Sequence, residues 1–204
     1  MTIELETPHG SARVHLHEPD RKRARGALVL GHGAGGGVRA PDLLAAKDAA
    51  LEAGLCVALV EQPYRVAGRR SPPPARQLDA AWLAVIEQLR ERELCGLALI
   101  AGGRSSGARV ACRTAADADA AAVLCLAFPV HPPGRGDDPT KSRLPELDAL
   151  RVPTLVVQGE RDPFGMPPPG PHRDVVTVPG DHSLRAAGEV RIAVAVWFAG
   201  FGVV

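Results

Sequence analysis

The sequence predicts an α/β domain built on a mainly parallel sheet. Eight short segments of strand-like composition recur along the 204 residues, and helix-like segments separate most of them. The later strand-like segments are nearly continuous apolar runs, which are typical of parallel strands covered on both faces. This alternation favours an α/β architecture with helices on both faces of the sheet, and the chain length predicts a single domain over residues 1–204.

The predicted strands start with a hairpin. The segments TIELET and ARVHLHE flank the turn-forming letters PHGS, so the sheet should begin with a short antiparallel pair. The other six predicted strands are, in chain order, ALVLG, LCVALVEQP, GLALIAG, AAVLCLAFPV, PTLVVQG and DVVTVPG.

The predicted helices follow from apolar spacing and from start and stop residues. Residues 40–54 have Pro41 near the start and Gly54 as a stop signal. Residues 74–93 place apolar side chains on one helical face, and further helices should begin near Ser106 and cover the last stretch of the chain. Residues 131–145 read as a proline-rich loop before a short helix at 145–150, which leaves no room for a lid domain.

Composition gives no support to several classes of function. The formal net charge is +1 and aromatic residues make up 3% of the chain, so nothing favours nucleic acid or a membrane surface as a partner. No apolar stretch approaches the roughly 18 residues of a membrane-spanning helix, and the N-terminus lacks the pattern of a signal peptide. A cytoplasmic location is therefore expected.

The four cysteines form no metal-binding or C-x-x-C pattern. Their neighbours are mostly apolar or small, so we expect four buried, reduced side chains and neither a disulfide nor a zinc site. The basic run at residues 20–25 is expected to be a solvated turn.

A candidate nucleophile lies in the sequence LALIAGGRSSGARVA, residues 97–111. Gly103, Ser105 and Gly107 form a G-x-S-x-G motif between a predicted strand and a predicted helix, the context in which this motif positions a nucleophilic serine. The tight turn needs small residues two positions before and after the serine. Ser106 fails this requirement because Arg104 precedes it by two, so Ser105 is the candidate. The alternative is a glycine-rich turn without chemistry.

A candidate acid and a candidate base follow later strands. Asp162 lies in the loop after PTLVVQG, and His182 lies just after DVVTVPG. The order serine, acid, histidine, each after a separate strand, is the order of a Ser-His-Asp triad on this kind of sheet. His182 would accept the proton of Ser105, and Asp162 would orient the imidazole. Other candidates remain in loops: for the base His32, His131 and His172, and for the acid Asp181.

The chain resembles the α/β-hydrolases, and more narrowly the small, lidless, dienelactone-hydrolase-like group. The resemblance rests on GHGAGG, PYR, GGRSSGAR, FPVHPPG, QGERDPFG and GDHSL, which extend from residue 31 to residue 184. It implies the α/β-hydrolase fold with an eight-stranded, mostly parallel sheet. It also implies kinship with eukaryotic proteins that act as a regulatory subunit of a histone-acetyltransferase complex, so a non-catalytic interaction module is the alternative to an enzyme.

The glycine-rich loop ALVLGHGAGG, residues 27–36, allows two interpretations. Its G-x-G-x-x-G spacing fits a dinucleotide-binding loop, with Glu61 near the position of a ribose-binding acid. The hydrolase interpretation makes the loop one side of an oxyanion hole, and it is preferred because it also accounts for the serine, acid and histidine. The second donor would be the N–H of Ser106. The resemblance implies Ala34 as the first donor, with Gly35 the next choice.

These observations predict a serine hydrolase that cleaves an ester-type bond through an acyl-Ser105 intermediate. Carboxylesterase activity comes first, with thioester and lactone hydrolysis close behind, and no metal or organic cofactor is required. Arg65, Arg69 and Arg70 lie on the loop after the fourth predicted strand, and the guanidinium of one of them, with Arg65 preferred, is a candidate partner for a substrate carboxylate. A solvated loop residue or a structural ion pair is the alternative. The expected partner is a small-molecule ester, and the oligomeric state stays open.

Overall fold

The sheet contains all eight predicted strands. A computed structural model describes residues 1–20, 24–136 and 138–200. In these residues the strands are β1 (Thr2–Thr7), β2 (Gly10–His17), β3 (Ala27–Gly31), β4 (Cys56–Glu61), β5 (Leu99–Arg104), β6 (Ala122–Leu126), β7 (Thr154–Gly159) and β8 (Arg173–Val178).

The strand order is β1-β2-β4-β3-β5-β6-β7-β8. The β1–β2 and β2–β4 pairs are antiparallel, and every pair from β4 to β8 is parallel. The sheet is therefore mostly parallel with an antiparallel start, as the sequence predicts. The carboxyl ends of β3, β5, β7 and β8 meet at one edge, where ligands bind in open α/β sheets.

In the described residues, five α-helices lie between strands and a sixth follows β8. They are α1 (Pro41–Glu52), α2 (Pro63–Val66), α3 (Ala75–Glu91), α4 (Ser106–Thr114), α5 (Leu144–Asp148) and α6 (Ala187–Gly200), and a 3-10 helix covers Pro139–Lys141. In the described residues between β6 and β7, only this 3-10 helix and α5 interrupt the loop, and no lid domain is present. None of the helices in the described segments is long and apolar enough to cross a membrane.

Two apolar clusters cover the two faces of the sheet. On one face, α3 and α4 bury side chains that include Trp82 and Val110. On the other, α1 and α6 pack together over residues that include Leu43 and Val194. Helices therefore cover both faces, as predicted, and the apolar sheet forms the rigid support for the loops at its edges.

The structure corrects two expectations. Residues 63–66 form the short helix α2, where the sequence suggests a loop, because Pro63 fixes φ for a first helical turn. The cysteines are not all buried: Cys95 is exposed and Cys56 is partly exposed, while Cys112 and Cys125 are buried. The turn expected at residues 20–25 stays a prediction, because residues 21–23 lie outside the described residues.

Candidate active site

Ser105 lies on a strained turn between β5 and α4. Its backbone has φ 51° and ψ −108°, a left-handed φ that is uncommon for a residue with a side chain. The amide of Ser105 donates to the carbonyl of Leu126 at 2.9 Å, which anchors the turn to β6. Surrounding structure must hold such a conformation in place, and strain of this kind clusters at functional sites.

Close packing explains the two glycines of the G-x-S-x-G motif. A Cβ on Gly103 would lie 2.6 Å from the carbonyl oxygen of Gly31, and a Cβ on Gly107 would lie 2.5 Å from the carbonyl carbon of the same residue. Real Cβ atoms do not approach backbone so closely. The predicted steric requirement for small residues on both sides of Ser105 is confirmed.

The structure brings Ser105, His182 and Asp162 into one hydrogen-bonded chain. Nδ1 of His182 lies 2.8 Å from Oδ2 of Asp162, and Nε2 lies 2.9 Å from Oγ of Ser105. A carboxylate only accepts hydrogen bonds, so Nδ1 carries the proton and Nε2 is free to accept the proton of the serine hydroxyl. The side chain of Asp162 is fully buried, whereas 18% of the His182 side chain is exposed.

Two neighbours hold the carboxylate of Asp162. The fully buried amide of Gln158, at the end of β7, donates to Oδ2 at 2.9 Å. The backbone N–H of Phe164 donates to Oδ1 at 2.9 Å, and the Phe164 ring packs against the His182 imidazole with centroids 4.2 Å apart. The carboxylate therefore accepts from three groups, which fixes the orientation of the histidine.

The proline-rich connection from residue 159 to residue 171 does not separate the acid from the base. Backbone bonds from Glu160 to Val178 at 3.0 Å and from Arg161 to Gly180 at 2.9 Å link the loop after β7 to the segment after β8. A Cβ on Gly159 would lie 2.8 Å from the carbonyl carbon of Asp181. A glycine at this position lets the two loops come together.

The alternative candidates for the acid and the base lie in other surroundings. Asp181 accepts from the backbone N–H of Ser183 at 2.9 Å and also from its hydroxyl, bonds that lower the pKa of Asp181. His172 is exposed at the opposite edge of the sheet, and the Nδ1 of His131 lies 3.1 Å from the carbonyl of Pro132. His32 is buried in the glycine-rich loop.

The glycine-rich loop after β3 is fastened by two aromatic side chains. Nδ1 of His32 donates to the carbonyl of Gly33 at 2.8 Å, and Nε2 accepts from the N–H of Gln62 at 3.1 Å. Burial lowers the pKa of His32, which favours the neutral ring that these two contacts require. The Tyr64 hydroxyl donates to the carbonyl of Ala34 at 2.7 Å, and burial raises the pKa of Tyr64 to about 12, which keeps that donor proton in place.

This loop lies directly beside Ser105. The position of a Cβ on Gly33 is 3.7 Å from the Cβ of Ser105. Among the described residues, the N–H groups of Ala34 and Ser106 have no hydrogen-bond acceptor, and no side chain caps the N-terminus of α4. Two unpaired amides near a candidate nucleophile are chemically suited to bind a developing negative charge.

Arg65 lies on α2 and is turned toward its own segment. Its Nη1 donates to the carbonyl of Arg69 at 3.1 Å. Its buried Nε has no hydrogen-bond partner in the described part of the chain. The role of Arg65 in binding a substrate carboxylate remains a prediction.

The contacts of Arg104, the residue before Ser105, were not predicted from the sequence. Nε of Arg104 forms an ion pair of 2.9 Å with the fully buried Asp42 in the first turn of α1, and Nη2 donates to the carbonyl of His182 at 2.9 Å. Burial raises the pKa of Asp42, while the positive charge of Arg104 acts in the opposite direction. The sequence around Arg104 does not indicate these contacts, because Asp42 and His182 lie 62 and 78 positions away along the chain.

No cluster of three or more histidine, cysteine or acidic side chains suited to a metal ion occurs in residues 1–20, 24–136 and 138–200. The polar groups around Ser105 are instead a hydroxyl, an imidazole, a carboxylate and backbone amides. A nucleophilic mechanism would require groups of these kinds.

The chain belongs to the alpha/beta hydrolase domain family. The family model matches residues 24–186, which include β3 to β8 and the loops of the candidate site. The comparison with curated protein sequences gave no match.

Three solved structures show the same fold. An alpha-beta serine hydrolase homologue from Coxiella burnetii has a TM-score of 0.76 and 16% identity, covering 96% of both chains. A serine hydrolase without a lid from Xanthomonas campestris has a TM-score of 0.72 and 20% identity, covering 97% of this chain and 94% of the other. Dienelactone hydrolase from Anabaena variabilis has a TM-score of 0.73 and 18% identity, with coverage of 98% and 97%. The predicted resemblance in fold to lidless, dienelactone-hydrolase-like proteins is confirmed, while the kinship with a histone-acetyltransferase subunit stays a prediction.

Proposed function

We propose that this member of the alpha/beta hydrolase family is a serine hydrolase that cleaves ester-type bonds through an acyl-Ser105 intermediate. The observation that carries the proposal is the chain of hydrogen bonds from Ser105 through His182 to Asp162, at 2.9 Å and 2.8 Å. A serine hydroxyl is a weak nucleophile until a base accepts its proton, and this arrangement supplies an oriented base.

The first half-reaction forms the acyl-enzyme. Nε2 of His182 accepts the hydroxyl proton as Oγ of Ser105 attacks the substrate carbonyl carbon. The N–H groups of Ala34 and Ser106 donate to the resulting oxyanion, each contributing on the order of 3 kcal/mol in the transition state. The intermediate then collapses, and His182 donates its proton to the leaving oxygen or sulfur. In the second half-reaction, water attacks the acyl carbon while His182 accepts its proton. The bond to Oγ of Ser105 then breaks, His182 returns the proton to Oγ, and the carboxylic acid is released.

The substrate class follows from the open site and from the comparisons. Since no lid domain covers the loops in the described residues, small or exposed esters should reach Ser105 without interfacial activation. One solved structure with this fold is a dienelactone hydrolase, whose name denotes a cyclic ester as substrate. Carboxyl esters, lactones and thioesters are therefore the bonds to screen first.

The test is hydrolysis of p-nitrophenyl acetate by the wild type, Ser105→Ala and Ser106→Ala. Multiple turnovers by the wild type, lost in Ser105→Ala, are the expected result. Ser106→Ala is the matched control for the choice of serine, and it should still hydrolyse the ester because its backbone N–H remains. A folded wild type without turnover, or turnover lost only in Ser106→Ala, would contradict the proposal, and the first of these outcomes would favour an interaction module.

A further inference from the structure

One guanidinium joins three separate parts of the candidate site. Arg104 is the last residue of β5, directly before Ser105. Its side chain contacts Asp42 at the start of α1, the carbonyl of His182 after β8, and the glycine-rich loop at Gly33. A Cβ on Gly33 would lie 2.8 Å from Nη1 of Arg104, so the loop packs directly on the guanidinium.

We infer that Arg104, anchored by Asp42, is a positioning residue that sets the distance between Ser105 and His182. This inference rests on the proposed serine-hydrolase function. The backbone of Arg104 continues into the strained turn of Ser105, while its Nη2 holds the main chain of His182 at 2.9 Å. Serine and histidine otherwise come from separate loops, and this side chain connects them directly.

Asp42 provides the fixed end of this connection. Its carboxylate is fully buried, Oδ1 accepts from the backbone N–H of Leu43 at 3.0 Å, and Oδ2 lies 2.9 Å from Nε of Arg104 in an ion pair without hydrogen-bond alignment. The rest of α1 is packed against the apolar cluster under the sheet. An arginine suits this task because its planar group presents several donors in fixed directions, whereas a lysine offers one compact charge.

The opposite edge of the sheet offers a matched control. Arg173, at the start of β8, forms an ion pair of 3.0 Å with Asp148 and donates to the carbonyl of Pro168 at 2.7 Å. Like Arg104, Arg173 therefore joins a carboxylate to a backbone carbonyl. Both side chains are largely buried, with 9% of Arg173 and 18% of Arg104 exposed. Arg173 lies at the amino end of its strand, away from Ser105.

The experiment compares Arg104→Lys, Asp42→Asn and Arg173→Lys with the wild type. The readouts are kcat and KM for p-nitrophenyl acetate, the rate of labelling by a fluorophosphonate and the melting temperature. Arg104→Lys keeps a positive charge beside Asp42 but cannot also reach His182, so kcat and the labelling rate should fall about 10- to 100-fold with KM unchanged. Asp42→Asn should show a smaller fall, and it serves as the test if Arg104→Lys does not fold. Arg173→Lys should lower only the melting temperature.

The outcomes separate the two proposals. A wild type that neither turns over nor labels would overturn the serine-hydrolase function, and the positioning role with it. An active wild type whose kcat is matched by Arg104→Lys and Asp42→Asn would overturn the positioning role alone. So would a fall in kcat of equal size in Arg173→Lys, because that would indicate a general loss of stability.

Discussion

Both edges of the sheet carry a histidine and an aspartate, but the hydrogen bonds of these residues differ between the two edges. At the carboxyl edge, Ser105, His182 and Asp162 form a continuous hydrogen-bonded chain on a strained turn. At the amino edge, Arg173 and Asp148 form an ion pair beside a cavity of about 450 Å³, which includes His172 in its lining. Among the described residues of the two regions, only the carboxyl edge combines a candidate nucleophile with an oriented base. The arrangement of proton donors and acceptors, rather than the size of a cavity, therefore identifies the site.

The largest effect should come from the acid of the site. Asp162→Asn replaces the acceptor of Nδ1 by a group that can also donate, which favours the wrong tautomer of His182. We expect kcat to fall by about 10⁴-fold with little change in the melting temperature. The measurement is kcat for p-nitrophenyl acetate together with the melting curve.

Asp181→Asn is the control for this prediction, because Asp181 is the neighbouring acid and its carboxylate accepts from Ser183, whereas His182 pairs with Asp162. It should retain most of the activity. Equal losses in the two variants would mean that Asp162 has no special relation to His182.

The next effect concerns the glycine-rich loop, in which two glycines differ sharply in their surroundings. A Cβ on Gly33 would lie against Arg104 and Ser105, whereas a Cβ on Gly35 would meet nothing within 4 Å. Gly33→Val should displace the Arg104 guanidinium or the loop that packs on it and lower kcat by about 100-fold, the order expected for loss of one oxyanion donor. The Gly35→Val variant, read in the same kinetic assay, should be close to the wild type. A large loss of kcat in Gly35→Val and little change in Gly33→Val would contradict the position of the glycine-rich loop in the structure.

The smallest effect should come from Arg65, whose contacts lie within its own segment. If its guanidinium binds a substrate carboxylate, Arg65→Ala should raise KM for an anionic ester by about tenfold, equivalent to roughly 1.4 kcal/mol, and leave KM for a neutral ester unchanged. The two esters should share an alcohol leaving group. Unchanged KM for both would leave Arg65 a structural residue.

Much of the fold and of the candidate site was accessible from the sequence, for physical reasons. Apolar runs and turn residues are local signals, so all eight strands and the principal helices were predicted. Ser105, Asp162 and His182 were found because each follows a strand, and parallel strands end at one edge. Ser106 was rejected as the nucleophile on the steric argument that the close approach of Gly31 to Gly103 and Gly107 now supports.

The missed features depend on contacts between distant parts of the chain. The bonds from Gln158 to Asp162, from Tyr64 to Ala34 and from Arg104 to Asp42 and His182 leave no periodic or local pattern. The exposure of Cys95 was also mispredicted, since its apolar neighbours do not reveal that the segment after α3 lies at the surface. The polar side chains that support a site need the three-dimensional structure to be identified.

The most direct test is the intact mass of the wild type and of Ser105→Ala after incubation with a fluorophosphonate. Such probes react with a serine whose hydroxyl is activated by a neighbouring base. We expect one adduct on the wild type and none on Ser105→Ala. No adduct on the folded wild type, or an adduct that persists in Ser105→Ala, would contradict the assignment of Ser105 as an activated nucleophile.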